Sequence, residues 1–222
     1  MSRNLHFGPS EFAARQAAAL AAMARDGLSA LLMFRQESMY WLTGYDTFGY
    51  VHFQCLVLTE DGRLVLLTRS ADRLQAAFTS TVSDVRIWRD AEDANPAAEL
   101  RALLGELGLA GRRLGVEWDA YGLTAANGRR LEAALEGFAH LEDASLLVSA
   151  LRVVKSPAEI AYVREAVRQG VRLTIDTDAH DERALSFMRY GVDQARRAWV
   201  EKANVINCLP LSEFEEFLEA GK

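Results

Sequence analysis

Cysteine, histidine and proline are scarce in this chain of 222 residues, which holds two, four and four of them. Cys55 and Cys208 lie far apart in apolar surroundings, so no disulfide framework is visible and a reducing compartment is indicated. No apolar run approaches the roughly 20 residues that a membrane-spanning helix needs. The first twelve residues also lack the apolar stretch of a signal peptide. We therefore predict a cytoplasmic protein without a membrane partner.

An excess of basic residues is also missing. Lys and Arg number 25 against 31 Asp and Glu, which gives a net charge of −6 and makes a nucleic-acid partner unlikely by the basic-patch criterion. Arg196 and Arg197 with Lys202 form only a small local patch, which we interpret as a solvated helix face. Half of the residues are apolar and a quarter are charged, as in an ordinary globular protein.

Short apolar runs alternate with amphipathic segments through the first 150 residues. The clearest signal is a hairpin over 54–69, in which Gly62 supplies the positive φ that a tight turn requires. A helix from Ser10 to Gly27 opens the chain, and Thr124 is a plausible helix cap. Further strands are predicted at 30–34, 84–88, 113–118 and 138–143, with helices at 71–78, 96–108 and 123–135. The fold class is therefore α/β, with a mixed sheet flanked by helices.

A change of pattern follows residue 150. Ser156-Pro157-Ala158-Glu159 is a capping box with proline at the first helical position, and it predicts a helix to about Gly170. After Gly170 the sequence predicts a strand and loop over 171–180, helical structure over 181–200, a short strand at 204–207 and a closing helix. We read this last part as a short α/β appendage.

Three stretches, in order along the chain, carry a resemblance to a known family. They are MYWLTGYDTFGY (39–50), LVLTEDGRLVLLTR (56–69) and LRVVKSPAEIAYVREA (151–166). Residues of about 10–170 thereby resemble the N-terminal domain of the creatinase/prolidase family, the relatives of Xaa-Pro peptidases. The resemblance implies a ribonuclease-H-like domain over 1–150 and a junction helix over 151–170 that leads into a pita-bread catalytic domain.

The resemblance also implies where chemistry would reside. In metal-dependent members the pita-bread domain holds two divalent metals (Mn, Co or Zn) with two Asp, one His and two Glu, and cleaves Xaa-Pro peptides or small C–N substrates. No such series follows residue 170 here, so we assign no catalytic residue and no cofactor to this chain alone. Family loops that reach a partner's pocket suggest Tyr45, Asp46, Tyr50 and His52 as substrate contacts, and a possible homodimer through the N-terminal domain. The alternative is an aromatic loop packed on its own sheet.

Residues 171–222 carry a second resemblance, to the end of the PHP domain of bacterial X-family DNA polymerases. DTDAH (176–180) followed by MRYGVDQARR (188–197) is the shared text. On an extended segment Asp178 and His180 would point to one face, and the resemblance implies that they are metal ligands. The alternative is a solvated loop in which Asp181 caps the next helix.

Together the two resemblances predict a truncated or fused chain, with a creatinase-type domain and a PHP domain fragment. It would be inactive alone, because one Asp-x-His pair cannot hold two cations. Two alternatives stay open. The tail completes a metal site of a hydrolase with Glu37, Asp46 or Glu117, or the chain is a non-catalytic dimerisation or binding module.

Overall fold

A computed structural model describes residues 3–220 and divides the chain into two compact units, Met1–Arg152 (unit 1) and Val153–Lys222 (unit 2). This division falls at the start of the predicted junction segment, and a further boundary at residue 170 stays a prediction. No helix among the described residues is long and apolar enough to cross a membrane.

Unit 1 is built on one six-stranded mixed sheet with the order β4-β3-β2-β1-β5-β6. Its strands are β1 (Ala30–Met33), β2 (Cys55–Thr59), β3 (Leu64–Arg69), β4 (Asp84–Trp88), β5 (Arg113–Val116) and β6 (His140–Asp143). The β1–β2 and β2–β3 pairs are antiparallel, whereas β3–β4, β1–β5 and β5–β6 are parallel. The predicted α/β class with a mixed sheet is confirmed.

The helices of unit 1 cover both faces of this sheet. They are α1 (Pro9–Asp26), α2 (Gln36–Thr43), α3 (Arg73–Thr79), α4 (Pro96–Glu106), α5 (Ala125–Leu135) and α6 (Leu147–Leu151). Because side chains alternate along a strand, Ala30 and Leu32 of β1 join one core with residues of α4 and α5, while Leu31 and Met33 join the other with residues of α1 and α2. β1 is therefore buried on both faces, which fixes the loops at its end.

Most local predictions for unit 1 are confirmed. The hairpin turns at Gly62 with φ +85°, helix α1 ends at Gly27 with φ +68°, and the Thr124 hydroxyl accepts a hydrogen bond from the Asn127 amide. The predicted start of α1 is wrong: Gly8 is the cap, because Pro9 occupies the first helical turn, where its missing N–H is not needed. Helix α2 was not predicted as a helix at all.

Unit 2 contains α7 (Pro157–Arg168), α8 (Met188–Arg197) and α9 (Leu211–Ala220). The capping box is confirmed, since Ser156 Oγ accepts from the Glu159 amide at 3.2 Å and the Glu159 carboxylate accepts from the Ser156 amide at 2.8 Å. The two predicted strands are wrong. Only an isolated bridge joins Leu173 to Val205, because neither short segment has a sheet to extend.

Candidate functional site

A cleft of about 1180 Å³ opens at the carboxyl ends of β1 and β5 in unit 1. It is formed by the loop after β1 with the first turn of α2, by the loop after β5, by the segment that precedes β2, and by Arg152 after α6. The cleft is lined by Phe34, Arg35, Gln36, Glu37, Tyr50, Val51, Asp119, Ala120, Tyr121 and Arg152. Ligands of α/β sheets generally bind outside the carboxyl ends of the strands, which makes this cleft the candidate site.

Arg35 ties the walls of the cleft together. Its Nε donates to the Asp119 carbonyl at 2.5 Å, and its Nη2 forms an ion pair with the Asp119 carboxylate. Its Nη1 donates to Ser149 Oγ at 3.2 Å. The Asp119 carboxylate is largely exposed, so this ion pair contributes little energy, and its effect is to hold the loop after β5 against the loop after β1.

Glu117 lies beneath the cleft floor and is fully buried. Its Oε2 accepts from the amides of Phe34 and Arg35, each at 3.1 Å, and its Oε1 accepts from Ser38 Oγ at 2.5 Å. No side chain at the start of α2 caps that helix. The Glu117 carboxylate therefore accepts the hydrogen bonds of two amides just before α2, although Glu117 lies about 80 positions further along the sequence. This agrees with the preference of helix N-termini for anions.

Burial raises the pKa of Glu117 to about 7, and the hydrogen bonds from Ser38 and the two amides oppose that shift. The charged or titratable neighbours that act on this carboxyl are Arg35, which favours its ionised form, and Cys55, whose own thiol pKa is raised chiefly by burial. The carboxyl therefore ionises within the neutral pH range in the folded chain.

The stability of unit 1 should accordingly depend on the state of Glu117. Because the folded pKa lies above that of an unfolded glutamate, the contribution is fully present below about pH 4.5 and is lost as pH rises through about 7. We expect the stability of wild type relative to Glu117→Gln to fall by about 2 kcal/mol between pH 5 and 7.5. Urea denaturation of both chains across this range measures the difference; a flat difference would contradict the assignment.

An aromatic pair forms the outer wall of the cleft. The rings of Tyr50 and Tyr121 meet edge to face with centroids 5.9 Å apart, and Tyr121 is 77% exposed. Gly122 brings the two loops together, since a Cβ at this position would lie 2.3 Å from the His52 carbonyl oxygen and 3.1 Å from that of Tyr50. Such an exposed apolar wall beside charged groups suits a small ligand with both characters.

Tyr45 does not contribute to this wall. Its side chain is fully buried, and its hydroxyl donates to Gln54 Oε1 at 2.7 Å and pairs with Thr68 Oγ1 at 3.2 Å. A side chain in this position cannot touch a substrate outside unit 1, so its assignment as a substrate contact is corrected to a core role. The aromatic packing that sequence analysis kept as an alternative holds for this residue.

The other three predicted substrate contacts, Asp46, Tyr50 and His52, differ in their position relative to the cleft. Tyr50 lines the cleft, whereas Asp46 and His52 are exposed and do not appear among the lining residues. The Asp46 amide donates to Thr79 Oγ1, on the side of α3. His52 lies in the turn that Gly122 contacts, at the border of the cleft. A substrate role for these three side chains stays a prediction.

Asp178 and His180 lie in a turn of unit 2 and not on an extended segment. Asp178 has a left-handed backbone with φ +50°, and its amide donates to Asp176 Oδ1 at 2.9 Å. His180 Nδ1 is 2.7 Å from the Asp178 carbonyl oxygen. The Asp181 side chain accepts from the Ala184 amide at the start of the following 3-10 helix, but Arg183 and not Asp181 occupies the cap position of that helix. The prediction that the Asp178 and His180 side chains point to one face is therefore wrong, because it assumed an extended strand.

The donor set of the chain does not fit a dinuclear metal centre. Over residues 3–220 no group of three or more His, Cys, Asp or Glu side chains is placed to hold a metal ion. A pair of bridged metal ions needs about twice as many protein ligands as such a group of three would supply. Metal binding by Asp178 and His180 stays a prediction for a single, weakly held ion.

Sequence reasoning missed the role of Arg35 and Asp119, and named Glu117 only as a possible ligand. Glu117 directly follows the apolar strand β5, and a lone acid at the end of a buried strand is a signal for a buried functional carboxylate. Nothing local marks Arg35, because its partners lie in the loop after β5 and in α6.

Unit 1 is an α/β domain in which helices cover both faces of one six-stranded mixed sheet. Residues 15–154 match the sequence model of the Creatinase/Prolidase N-terminal domain, and the chain belongs to that family. A crystal structure of a dipeptidase from Pyrococcus horikoshii OT3 shares the fold, with a TM-score of 0.57 and 20% identity over 82% of this chain and 49% of that one.

Two curated relatives have similar identity. An uncharacterized hydrolase/peptidase, y4tM, of Sinorhizobium fredii is 32% identical over 171 residues, 74% of this chain and 43% of the relative. The ectoine hydrolase of Halomonas elongata is 31% identical over 170 residues, 73% of this chain and 42% of the relative. This chain thus spans less than half of the length of either protein.

A third relative has a different character. The DNA polymerase/3'-5' exonuclease PolX of Bacillus subtilis is 39% identical over 75 residues, which cover 32% of this chain and 13% of that protein. The short match is consistent with the PHP-like segment at 171–222. The resemblance to the creatinase/prolidase family is confirmed, and the PHP-like character of the tail stays a prediction that this match supports.

Proposed function

We propose that unit 1 is the substrate-side, non-catalytic domain of a creatinase/prolidase-type hydrolase, and that the 222 residues do not hydrolyse substrate by themselves. The observation that carries the proposal is the cleft at the carboxyl ends of β1 and β5, which lies within a domain of this family and exposes Tyr50 and Tyr121 beside Arg35. In this role the cleft supplies one wall of a pocket, and a metal-bearing domain supplies the reactive groups.

The residues that line the cleft indicate which class of substrate would fit it. An edge-to-face tyrosine pair presents apolar surface to a compact ring or aliphatic group, while the charged groups Arg35, Glu37 and Asp119 offer partners for amide or ionic ends. The names of the two curated relatives, a hydrolase/peptidase and an ectoine hydrolase, support hydrolysis of a C–N bond in a small molecule or peptide. Divalent metal belongs to the catalytic domain in this proposal.

The alternative of a hydrolase site completed by the tail has weaker support. Glu117 has both oxygens engaged inside unit 1, so it is not available as a ligand, and neither Glu37 nor Asp46 belongs to a group of three or more His, Cys, Asp or Glu side chains placed to hold a metal in the described residues. A homodimer through the N-terminal domain remains a prediction, as does a cytoplasmic location.

The purified chain should show no metal-dependent hydrolysis. We expect turnover of an Xaa-Pro dipeptide or of ectoine, with Mn²⁺, Co²⁺ or Zn²⁺ present, to stay at the rate of the metal-only blank, because too few ligands converge to activate a water molecule. The Asp178→Ala chain is the matched control. If the wild-type chain turns over substrate and Asp178→Ala does not, the tail completes a metal site and the proposal is overturned. If both chains turn over substrate, neither the proposal nor the tail-completed site is correct.

A further inference from the structure

Unit 2 contains two short amphipathic helices, α8 and α9, that leave apolar side chains exposed among the residues the structure describes. In α8 the stripe includes Met188 and Val192, and in α9 it includes Leu211, Phe217 and Leu218; all five are exposed. No residue of either helix is buried. A ten-residue helix is stable in water only when its apolar face is packed, so these faces call for an occupant.

Trp199, two residues beyond α8, reinforces this requirement. Its side chain is 81% exposed and its backbone has φ +59°, a left-handed conformation that is costly for a bulky residue. Its amide donates to the Arg196 carbonyl and closes the end of the helix. The turn thus presents a large exposed indole two residues beyond α8, and burial of this ring against another surface would offset the backbone strain.

The charges of the two helices are opposite in sign. Helix α9 carries Glu213, Glu215, Glu216 and Glu219 and no basic residue, whereas α8 carries three arginines and one aspartate. Arg189 and Arg196 are seven positions apart, so they lie on one side of α8 beside its apolar stripe. Glu215 and Glu219 are four apart and border the stripe of α9 in the same way. Each helix therefore has the apolar and charged pattern that complements the other.

We propose that α8 and α9 form a self-complementary surface through which two copies of this chain associate, with α8 of one copy packed against α9 of the other. A twofold axis makes the α8–α9 contact twice, so that all four exposed faces are covered at once. The surface lies in unit 2 and is independent of the function proposed for unit 1. Each helix spans only about 15 Å, and we therefore expect micromolar association.

The test is a charge exchange in the full chain, followed by sedimentation velocity from 1 to 200 μM in 50 mM NaCl. One variant carries Arg189→Glu and Arg196→Glu, and the other carries Glu215→Arg and Glu219→Arg. Each variant alone places like charges in both contacts, so we expect its association to weaken at least tenfold. In an equimolar mixture every contact again joins opposite charges, and dimers should return to within threefold of the wild-type affinity.

The mixture makes the outcome decisive, because a misfolded variant could not regain association with its counterpart. A wild-type chain that stays monomeric at 200 μM overturns the proposal. Variants that dimerise like wild type also overturn it and place the interface elsewhere, for example in unit 1. Loss of association in both variants without recovery in the mixture would likewise overturn it.

Discussion

Replacing Glu117 with alanine is expected to destabilise unit 1 by about 3–4 kcal/mol at pH 7, a value in the range of the largest single-residue effects. The substitution leaves the amides of Phe34 and Arg35 and the hydroxyl of Ser38 without their acceptor in a buried site. Each unsatisfied buried donor costs about 1–3 kcal/mol, and removal of a desolvated carboxylate returns part of that loss. Urea denaturation followed by tryptophan fluorescence measures the change.

Glu117→Gln is the matched control. The amide oxygen of glutamine can accept from the two backbone amides, and its NH₂ group can donate to Ser38 Oγ, so at pH 7 we expect no destabilisation like that of alanine. If the alanine and glutamine variants were equally stable, the carboxylate would not be the group that organises the entry of α2. The cleft would then have another anchor.

Gly122→Ala is expected to cost about 3 kcal/mol and to separate the two tyrosines of the cleft wall. The added methyl group would lie 2.3 Å from the His52 carbonyl oxygen, and a backbone atom at that distance cannot rotate away as the end of a side chain can. The loop that carries Tyr50 must therefore move. Proton NMR contacts between the Tyr50 and Tyr121 rings, whose centroids are 5.9 Å apart in wild type, should disappear.

Gly128→Ala is the matched control, because it makes the same glycine-to-alanine change six residues further along the chain. Gly128 lies within α5, and a Cβ there meets no atom within 4 Å. Alanine is the better helix former, so this variant should gain up to about 1 kcal/mol and leave the tyrosine contact unchanged. A Gly122→Ala chain that behaves like Gly128→Ala would show that the two loops are not in the close contact described.

The prediction of the fold succeeded where the signal is local. The Gly62 turn, the Thr124 cap and the Ser156 capping box each depend on residues within four positions of one another, and all three are confirmed. Helix α2 shows the opposite case. Its start has no side-chain cap of its own and its acceptor comes from Glu117, so no window of sequence around it contains the reason for its boundary.

The same distinction applies to the candidate site. Tyr50 was found because it stands in a recognisable family segment, but that segment also contains Tyr45, and composition gives no means of telling the exposed tyrosine from the buried one. The Tyr45 hydroxyl is enclosed by Gln54, which directly precedes β2, and by Thr68 of β3, an arrangement that appears only once the strands are paired. For Asp178 and His180 the expected strand required a neighbouring strand, and within residues 153–220 the structure has one isolated bridge, between Leu173 and Val205.

The sequence by itself determined the family of residues 15–154, the α/β class, the Gly62 turn and the helix caps at Thr124 and Ser156, because these follow from short-range patterns and recognisable family segments. Only the tertiary structure decided which residues form the cleft, why Glu117 ionises near neutral pH, and which apolar faces of unit 2 stay exposed. The physical reason is that burial, desolvation and close contact belong to pairs of residues far apart in the chain, and they exist only after folding brings those residues together.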